Sequence, residues 1–305
     1  MRQKSPAPTG RQTVAQPSSS APPSVESGAV TADQFRLRYR IEGTGMPALV
    51  IGSSIYYPRI FSQELRRHLR MVFLDQRAFA QAPAESDIPV SGLSEILHDI
   101  ERARQQLRLS SAVVIGHSGH ALMALEYAKR YPKHVSHVVM IGIGPSLSAE
   151  HMAVADQYWQ DSVDPDRKAL LAESLRRWAE KGGDQGFIQS YVHNGPKIWF
   201  DPHFDATPLW EGVELNMAIY NRVWGIEFRD IDITQGLEKL ERPVFLALGR
   251  YDYISPPPAS WDPIRSRFSD LTVRVFERSG HTPPFEQPEL FDRELLEWLE
   301  SRRVR

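Results

Sequence analysis

The chain has 305 residues, with 36 Lys and Arg against 38 Asp and Glu, and no cysteine. A net charge of −2 gives no global attraction to polyanions, so neither nucleic acid nor an anionic membrane surface is an expected partner. The missing thiols exclude a disulfide framework, thiolate metal sites and a cysteine nucleophile. Although 41% of residues are hydrophobic, no run of about 18 apolar residues exists that would span a bilayer.

Residues 1–30 hold Pro6, Pro8, Pro17, Pro22 and Pro23 and the Ser18-Ser19-Ser20 run, with almost no large apolar side chain. Such a segment buries too little surface to offset its ordering entropy, and a disordered tail is expected. Arg2, Lys4 and Arg11 precede any acid, as in a transit peptide, but the prolines oppose an amphipathic helix. No apolar stretch of a secretory signal follows. With no such signal and no disulfides, the cytoplasm is the favoured compartment.

Strand and helix then alternate. Phe35–Ile41 has period two, as a half-exposed strand does. Ala48–Ile51, Met71–Leu74, Ala112–Ile115, Val135–Ile141, Val244–Leu248 and Leu271–Phe276 read as further strands, most of them short apolar runs. Between them Leu93, Ile96, Leu97, Ile100, Ala103 and Leu107 mark one face of a long amphipathic helix. Ala121–Tyr131 is a helix ended by Pro132, and Leu290, Leu295, Leu296 and Leu299 lie on a closing one. Repeated strand–helix units with apolar strands imply an α/β fold: a mostly parallel sheet covered on both faces. Residues 145–235 break the rhythm. They contain no convincing buried strand, read as several helices, and hold Trp159, Trp178, Trp199, Trp210 and Trp224, five of the seven tryptophans.

The central chemical signal is Gly116-His117-Ser118-Gly119-His120, which follows an apolar strand and opens a helix. A serine on so sharp a turn stands clear of the sheet at the strand's carboxyl end. The same turn aims the Gly119 amide at the space beside the hydroxyl, and the helix N-terminus favours negative charge developing there. This resembles the nucleophile elbow of the α/β-hydrolase family, G-x-S-x-G, with His120 in place of the last glycine. The family's order of nucleophile, acid and histidine is matched downstream. Phe245-Leu246-Ala247-Leu248-Gly249-Arg250-Tyr251-Asp252 supplies a strand, a turn and an acid. Val275-Phe276-Glu277-Arg278-Ser279-Gly280-His281 supplies a strand, a loop and a Gly-His pair, followed by Pro283-Pro284-Phe285-Glu286-Gln287-Pro288. Each motif alone is an ordinary turn or loop; the three in order are not. A serine hydroxyl is a poor nucleophile until a base takes its proton. His281 suits that task, and Asp252 would hold the imidazole tautomer.

The resemblance covers about residues 35–303. It implies an α/β-hydrolase core of residues 31–144 and 236–305, interrupted by a helical cap of residues 145–235. It also implies a second oxyanion amide from the loop after the strand at 48–51, where most members carry His-Gly-x and this chain has Gly52-Ser53-Ser54-Ile55-Tyr56-Tyr57-Pro58. Ser54 is the first choice and Ser53 the second. Asp75-Gln76-Arg77-Ala78-Phe79-Ala80 is similar to the family's D-x-R-G-x-G loop with alanines for both glycines, and its expected role is structural. Tyr56, His120, Trp159, Trp199 and Trp224 are candidate substrate-binding residues. For His120 the plain alternative is a helix-start residue satisfied by a hydrogen bond, and for each tryptophan it is packing of the cap on the core. Glu150, Asp156, Glu173 and Glu211 are candidates for binding a substrate ammonium, as acidic cap residues do in aminopeptidase members. The ten histidines are scattered without metal-ligand spacing, and no G-x-G-x-x-G follows a strand.

The expected protein is therefore a cofactor-free, metal-free serine hydrolase acting on an ester or amide of a small, partly apolar molecule. Esterase chemistry comes first and a proline-iminopeptidase-like aminopeptidase second, because the tryptophan-serine elbow typical of that group is missing. A ligand receptor or non-hydrolytic enzyme on the same fold is the alternative of another class. The oligomeric state is not legible.

Overall fold

A computed structural model of the chain describes residues 25–80, 92–180, 182 and 186–302. Its centre is an eight-stranded sheet in the order β1-β2-β4-β3-β5-β6-β7-β8. The strands are β1 (Glu26–Ala32), β2 (Phe35–Glu42), β3 (Met46–Gly52), β4 (Leu69–Asp75), β5 (Ala112–His117), β6 (Val135–Ile141), β7 (Val244–Gly249) and β8 (Leu271–Phe276). From β4 to β8 neighbouring strands are parallel; β1 and β2 add an antiparallel hairpin at one edge. The central strands are apolar because both their faces are covered. Leu49, Val50, Ile51, Val114, Ile115, Val139 and Leu246 are completely buried.

One boundary differs from the sequence expectation. The tail was expected to run to residue 30, but β1 begins at Glu26. Only Val30 and Ala32 of this strand are buried; its backbone pairing with β2 does the rest. A two-residue turn at Asp33 and Gln34 closes the hairpin, and Asp33 takes the left-handed conformation such turns need (φ 53°). Residues 1–24 of the expected tail lie outside the described residues.

Short helices α1 (Tyr57–Ile60) and α2 (Leu65–His68) connect β3 to β4. Helix α3 (Leu93–Gln106) buries Ile96, Leu97, Ile100 and Ala103, the face its sequence period marks. Helix α4 (Gly119–Arg130) is buried along most of its length and stops at Tyr131, since Pro132 disfavours helical backbone at the residue before it. Between β6 and β7 lie α5 (Ala149–Ser162), α6 (Pro165–Glu180), α7 (Gly186–His193), α8 (Gly195–Ile198), α9 (Thr207–Trp210), α10 (Met217–Arg222) and α11 (Phe228–Asp230), with no strand among the described residues. Helix α12 (Pro283–Glu286) and the closing helix α13 (Pro288–Ser301) follow β8. After β3 the chain first adds β4 on one side, then returns to add β5 on the other. Such a reversal opens a crevice at the carboxyl ends of the strands, where ligands of open α/β sheets bind.

Candidate active site

Strand β5 ends at His117, and Ser118 occupies the turn into α4 with φ 57° and ψ −138°. A non-glycine residue there carries strain of about 1–3 kcal/mol, so its surroundings must enforce it. Two bonds do so. The Ser118 amide donates to Ile141 O at 2.8 Å, tying it to the end of β6, and its carbonyl accepts Ala121 N–H at 2.8 Å, opening the helix. Gly119 follows as the first helical residue, with an amide that has no partner within the helix. A side chain at 119 is excluded: its Cβ would stand 2.2 Å from Trp224 Nε1.

Asp252 follows β7 and His281 follows β8, so parallel pairing brings both loops to the edge that carries Ser118. His281 Nδ1 lies 2.8 Å from Asp252 Oδ2, and Asp252 Oδ1 accepts the Ile254 amide at 3.2 Å. Both residues are buried. The carboxylate places the ring proton on Nδ1 and leaves Nε2 with its lone pair. Nε2 has no hydrogen-bond partner, and His281 and Ser118 line one cavity. The histidine's backbone is held as tightly as its ring. Its amide donates to Ile198 O at 2.6 Å, and its carbonyl lies 3.0 Å from His117 Nε2. Burial, then electrostatic coupling to the nearby His281 ring, holds His117 well below the usual histidine pKa, so its ring is neutral. Glu286 accepts the amides on both sides of His281, Gly280 at 3.0 Å and Thr282 at 3.0 Å, and that of Phe200 at 2.6 Å.

The loop after β3 corrects the sequence reading. The Ser54 amide, expected to complete an oxyanion hole, donates instead to Asp75 Oδ1 at 2.6 Å and is not part of the cavity wall. Asp75 also receives Arg38 at 2.7 Å, so the D-x-R-like loop clamps this turn, as its structural reading implies. Ser53 does line the cavity. Its hydroxyl oxygen accepts the amides of Ile55 at 3.2 Å and Tyr56 at 3.1 Å, while its own amide is left without a partner among the described residues.

The cavity encloses about 350 Å³. Its lining includes core residues Tyr56, Tyr57, Phe79 and His120 and, from the interval between β6 and β7, Leu147, Met152, Phe187, Tyr191, Trp210, Tyr220 and Trp224. Of the expected substrate-binding residues, Tyr56, His120 and Trp224 line this cavity, and Trp159 and Trp199 do not. Trp159 packs in a separate cluster against Tyr253, 5.3 Å between ring centres, behind the Asp252 loop. Trp199 is fully buried between Tyr191, Phe204 and Phe285. Chain position alone does not separate a tryptophan facing a cavity from one facing its own domain. His120 is hydrogen-bonded at the start of α4 and also lines the cavity. Its Nδ1 lies 2.7 Å from the Tyr57 hydroxyl, yet Nε2 is buried without a partner and the ring lines the cavity. Burial lowers its pKa to about 3.

No Asp, Glu, Lys or Arg is among the described residues lining the cavity. Glu150, Asp156, Glu173 and Glu211, the candidate ammonium ligands, lie elsewhere; Asp156 pairs with Lys197 and Glu173 with Arg176. Among the described residues no group of three or more His, Asp or Glu is arranged to hold a metal, and no helix is long and apolar enough to cross a membrane.

Comparison with known proteins agrees with this architecture. The alpha/beta hydrolase fold family matches residues 44–288. The AB hydrolase superfamily protein YclE of Bacillus subtilis is 38% identical over 278 residues, covering 90% of this chain and 99% of that protein. A proline iminopeptidase of Heyndrickxia coagulans is 25% identical, covering 85% of this chain and 92% of its own length. Among solved structures, the proline iminopeptidase of Mycobacterium smegmatis superposes with a TM-score of 0.69 at 16% identity, over 91% of this chain and 98% of that one. With the sheet order, the strained serine turn and a family match spanning most of its length, this chain belongs to the α/β-hydrolase family and is a hydrolase.

Proposed function

We propose that the protein is a serine esterase that cleaves small, neutral, partly apolar esters through Ser118, His281 and Asp252. The observation that carries this reading is the Asp252–His281 hydrogen bond at 2.8 Å, which leaves Nε2 unpartnered in the cavity that Ser118 also lines. His281 Nε2 takes the Ser118 proton as Oγ attacks the acyl carbonyl. The carbonyl oxygen becomes an oxyanion held by the amides of Gly119 and Ser53. As the tetrahedral intermediate collapses, the ester C–O bond breaks and the Nε2 proton passes to the leaving alcohol. Water then attacks the acyl-enzyme with the same base and releases the acid. Asp252 stays ionised and stabilises the imidazolium in both steps. Each oxyanion amide contributes about 2.7–4 kcal/mol by analogy with such donors elsewhere. The helices between β6 and β7 act as a cap that closes the acyl and alcohol subsites.

The proline iminopeptidases among the relatives support an aminopeptidase as second reading. The uncharged cavity wall favours the ester, since an ammonium desolvated there would have no counter-charge. A fluorophosphonate probe tests the mechanism. The protein should label stoichiometrically at Ser118, and the Ser118→Ala variant should not. Failure of the intact protein to label would instead favour the non-hydrolytic or receptor alternative.

A further inference from the structure

The Trp224 indole stands against Gly119, whose amide is one of the two proposed oxyanion donors. A Cβ on residue 119 would stand 2.2 Å from Nε1, 2.6 Å from Cε2 and 3.1 Å from Cδ1, so the nitrogen is the ring atom closest to that position. Both residues line the cavity. Nε1 makes no hydrogen bond among the described residues and, unlike Nε1 of Trp199 and Trp210, is not sealed inside the protein. An indole N–H can only donate, so this one is open to an acceptor that enters the cavity. The ring is also held in place. Trp224 lies in a π-helical turn, Val223–Glu227, between α10 and α11, a distortion frequent at functional sites. Tyr220 stacks on the ring at 4.7 Å and 12°, His120 meets it edge-on at 5.2 Å, and Phe228 packs at 5.4 Å. Packing accounts for the ring but not for an open N–H beside the oxyanion amide.

We propose that Trp224 Nε1–H is a third oxyanion donor, brought to the ester carbonyl oxygen by the helices between β6 and β7. Covalent geometry puts a Cβ about 2.5 Å from the amide nitrogen of its own residue, so Nε1 and Gly119 N are at most about 4.7 Å apart. One oxygen can lie about 2.9 Å from two nitrogens so spaced. As Ser118 Oγ bonds to the acyl carbon, its proton passes to His281 Nε2 and the C=O π pair moves onto that oxygen. The charge gathered there strengthens its hydrogen bonds to the indole and to both amides, and the indole keeps its proton throughout. When the intermediate collapses the pair returns to the C=O bond, and the alcohol leaves with the proton from Nε2. A donor fixed before the reaction needs no reorganisation as charge develops, so it acts on the transition state more than on the bound ester. Glycine at 119 then serves more than the turn, because any side chain there would displace the indole.

This inference rests on the esterase reading, and its test separates the two. Two replacements of Trp224 remove the N–H: Trp224→Phe, and 3-benzothienylalanine, which keeps the bicyclic ring. Each would be compared with wild type on p-nitrophenyl butanoate and on its thiono analogue, in which sulfur replaces the carbonyl oxygen. Sulfur accepts hydrogen bonds far more weakly, so losing a donor to that atom penalises the oxygen ester more. In both variants kcat/KM for the oxygen ester should fall at least about tenfold, and the oxygen-to-sulfur ratio of kcat/KM about fivefold or more. A ratio taken within one enzyme cancels any general loss of folded protein. Fluorophosphonate labelling at Ser118 is measured on the wild-type protein alongside. Labelling together with an unchanged oxygen-to-sulfur ratio in the benzothienylalanine protein overturns the indole donor and leaves the esterase reading standing. Absence of labelling in the wild-type protein removes both.

Discussion

His120 stands where the elbow pattern of the family has glycine, and its ring lies against Gly52 at the end of β3. The two residues belong together. A Cβ at residue 52 would lie 2.9 Å from His120 Cε1 and 2.3 Å from the Tyr57 ring, so the imidazole at the start of α4 fills space that a side chain at the end of β3 would need. The ring is 5% exposed and its pKa is lowered to about 3 by burial, which sets a sign for stability. An unfolded histidine takes up a proton near pH 6.5. Below that pH the unfolded chain binds a proton that the folded ring refuses until about 3, so this contribution to stability is whole above 6.5 and is lost as pH falls from 6.5 towards 3. By pH 5 the loss from this one ring is about 2 kcal/mol. His120→Asn should therefore be less stable than wild type at pH 8, with the gap narrowing by about that amount at pH 5. Urea unfolding of both proteins at the two pH values measures it; parallel losses would show that the native ring protonates normally.

At the scale of elements, the segment 196–200 does not line the cavity but joins the loops beside it. Its carbonyls at Lys197 and Ile198 accept the amides of Tyr253 at 2.9 Å and His281 at 2.6 Å, and the Phe200 amide reaches Glu286 at 2.6 Å. One short stretch of the interval between β6 and β7 is thereby bonded to both loops that carry the proposed acid and base. Arg167, buried on α6, fixes the stretch from behind through Pro196 O at 3.1 Å and Trp199 O at 2.9 Å, with its guanidinium 5.4 Å above the Tyr251 ring. Glu286→Gln replaces an acceptor-only carboxylate by an amide whose NH₂ faces backbone donors. Leaving such donors unmatched costs about 1–3 kcal/mol. Because the loss falls on the alignment of His281, kcat should drop about tenfold or more with little change in KM and a retained circular dichroism spectrum. An unchanged kcat would show that the amide clamp is incidental to turnover. The three motifs were legible because each is local, a strand end followed by its own turn. The clamp was not, although Pro283–Pro288 was singled out, because the donors to Glu286 include a residue 86 positions away.

For the molecule as a whole, alternating apolar runs were enough to place the parallel sheet and its helical interruption. The hairpin strand β1 was missed because only two of its side chains reach the core, so composition resembles a tail while backbone pairing makes a strand. The cavity wall was only partly legible for a related reason: it is assembled from two parts of the chain, and its composition emerges when they meet. Trp224 illustrates this. The aminopeptidase group has a tryptophan beside the serine in sequence; here residue 119 is glycine, and an indole from the interval between β6 and β7 takes the neighbouring space. The charge needed to hold a substrate ammonium is absent from the described wall. Burying an unpaired charge costs several kcal/mol even after relaxation. With one leaving group held constant, the p-nitrophenyl esters of pentanoate, 5-aminopentanoate and glutarate (as its monoester) present a neutral, a cationic and an anionic acyl tail to the same site. The neutral ester should exceed both charged ones by about a hundredfold or more in kcat/KM, about 2.7 kcal/mol. A cationic ester turned over faster than the neutral one would replace the esterase reading with the aminopeptidase one, because some carboxylate would then have to reach the cavity during turnover.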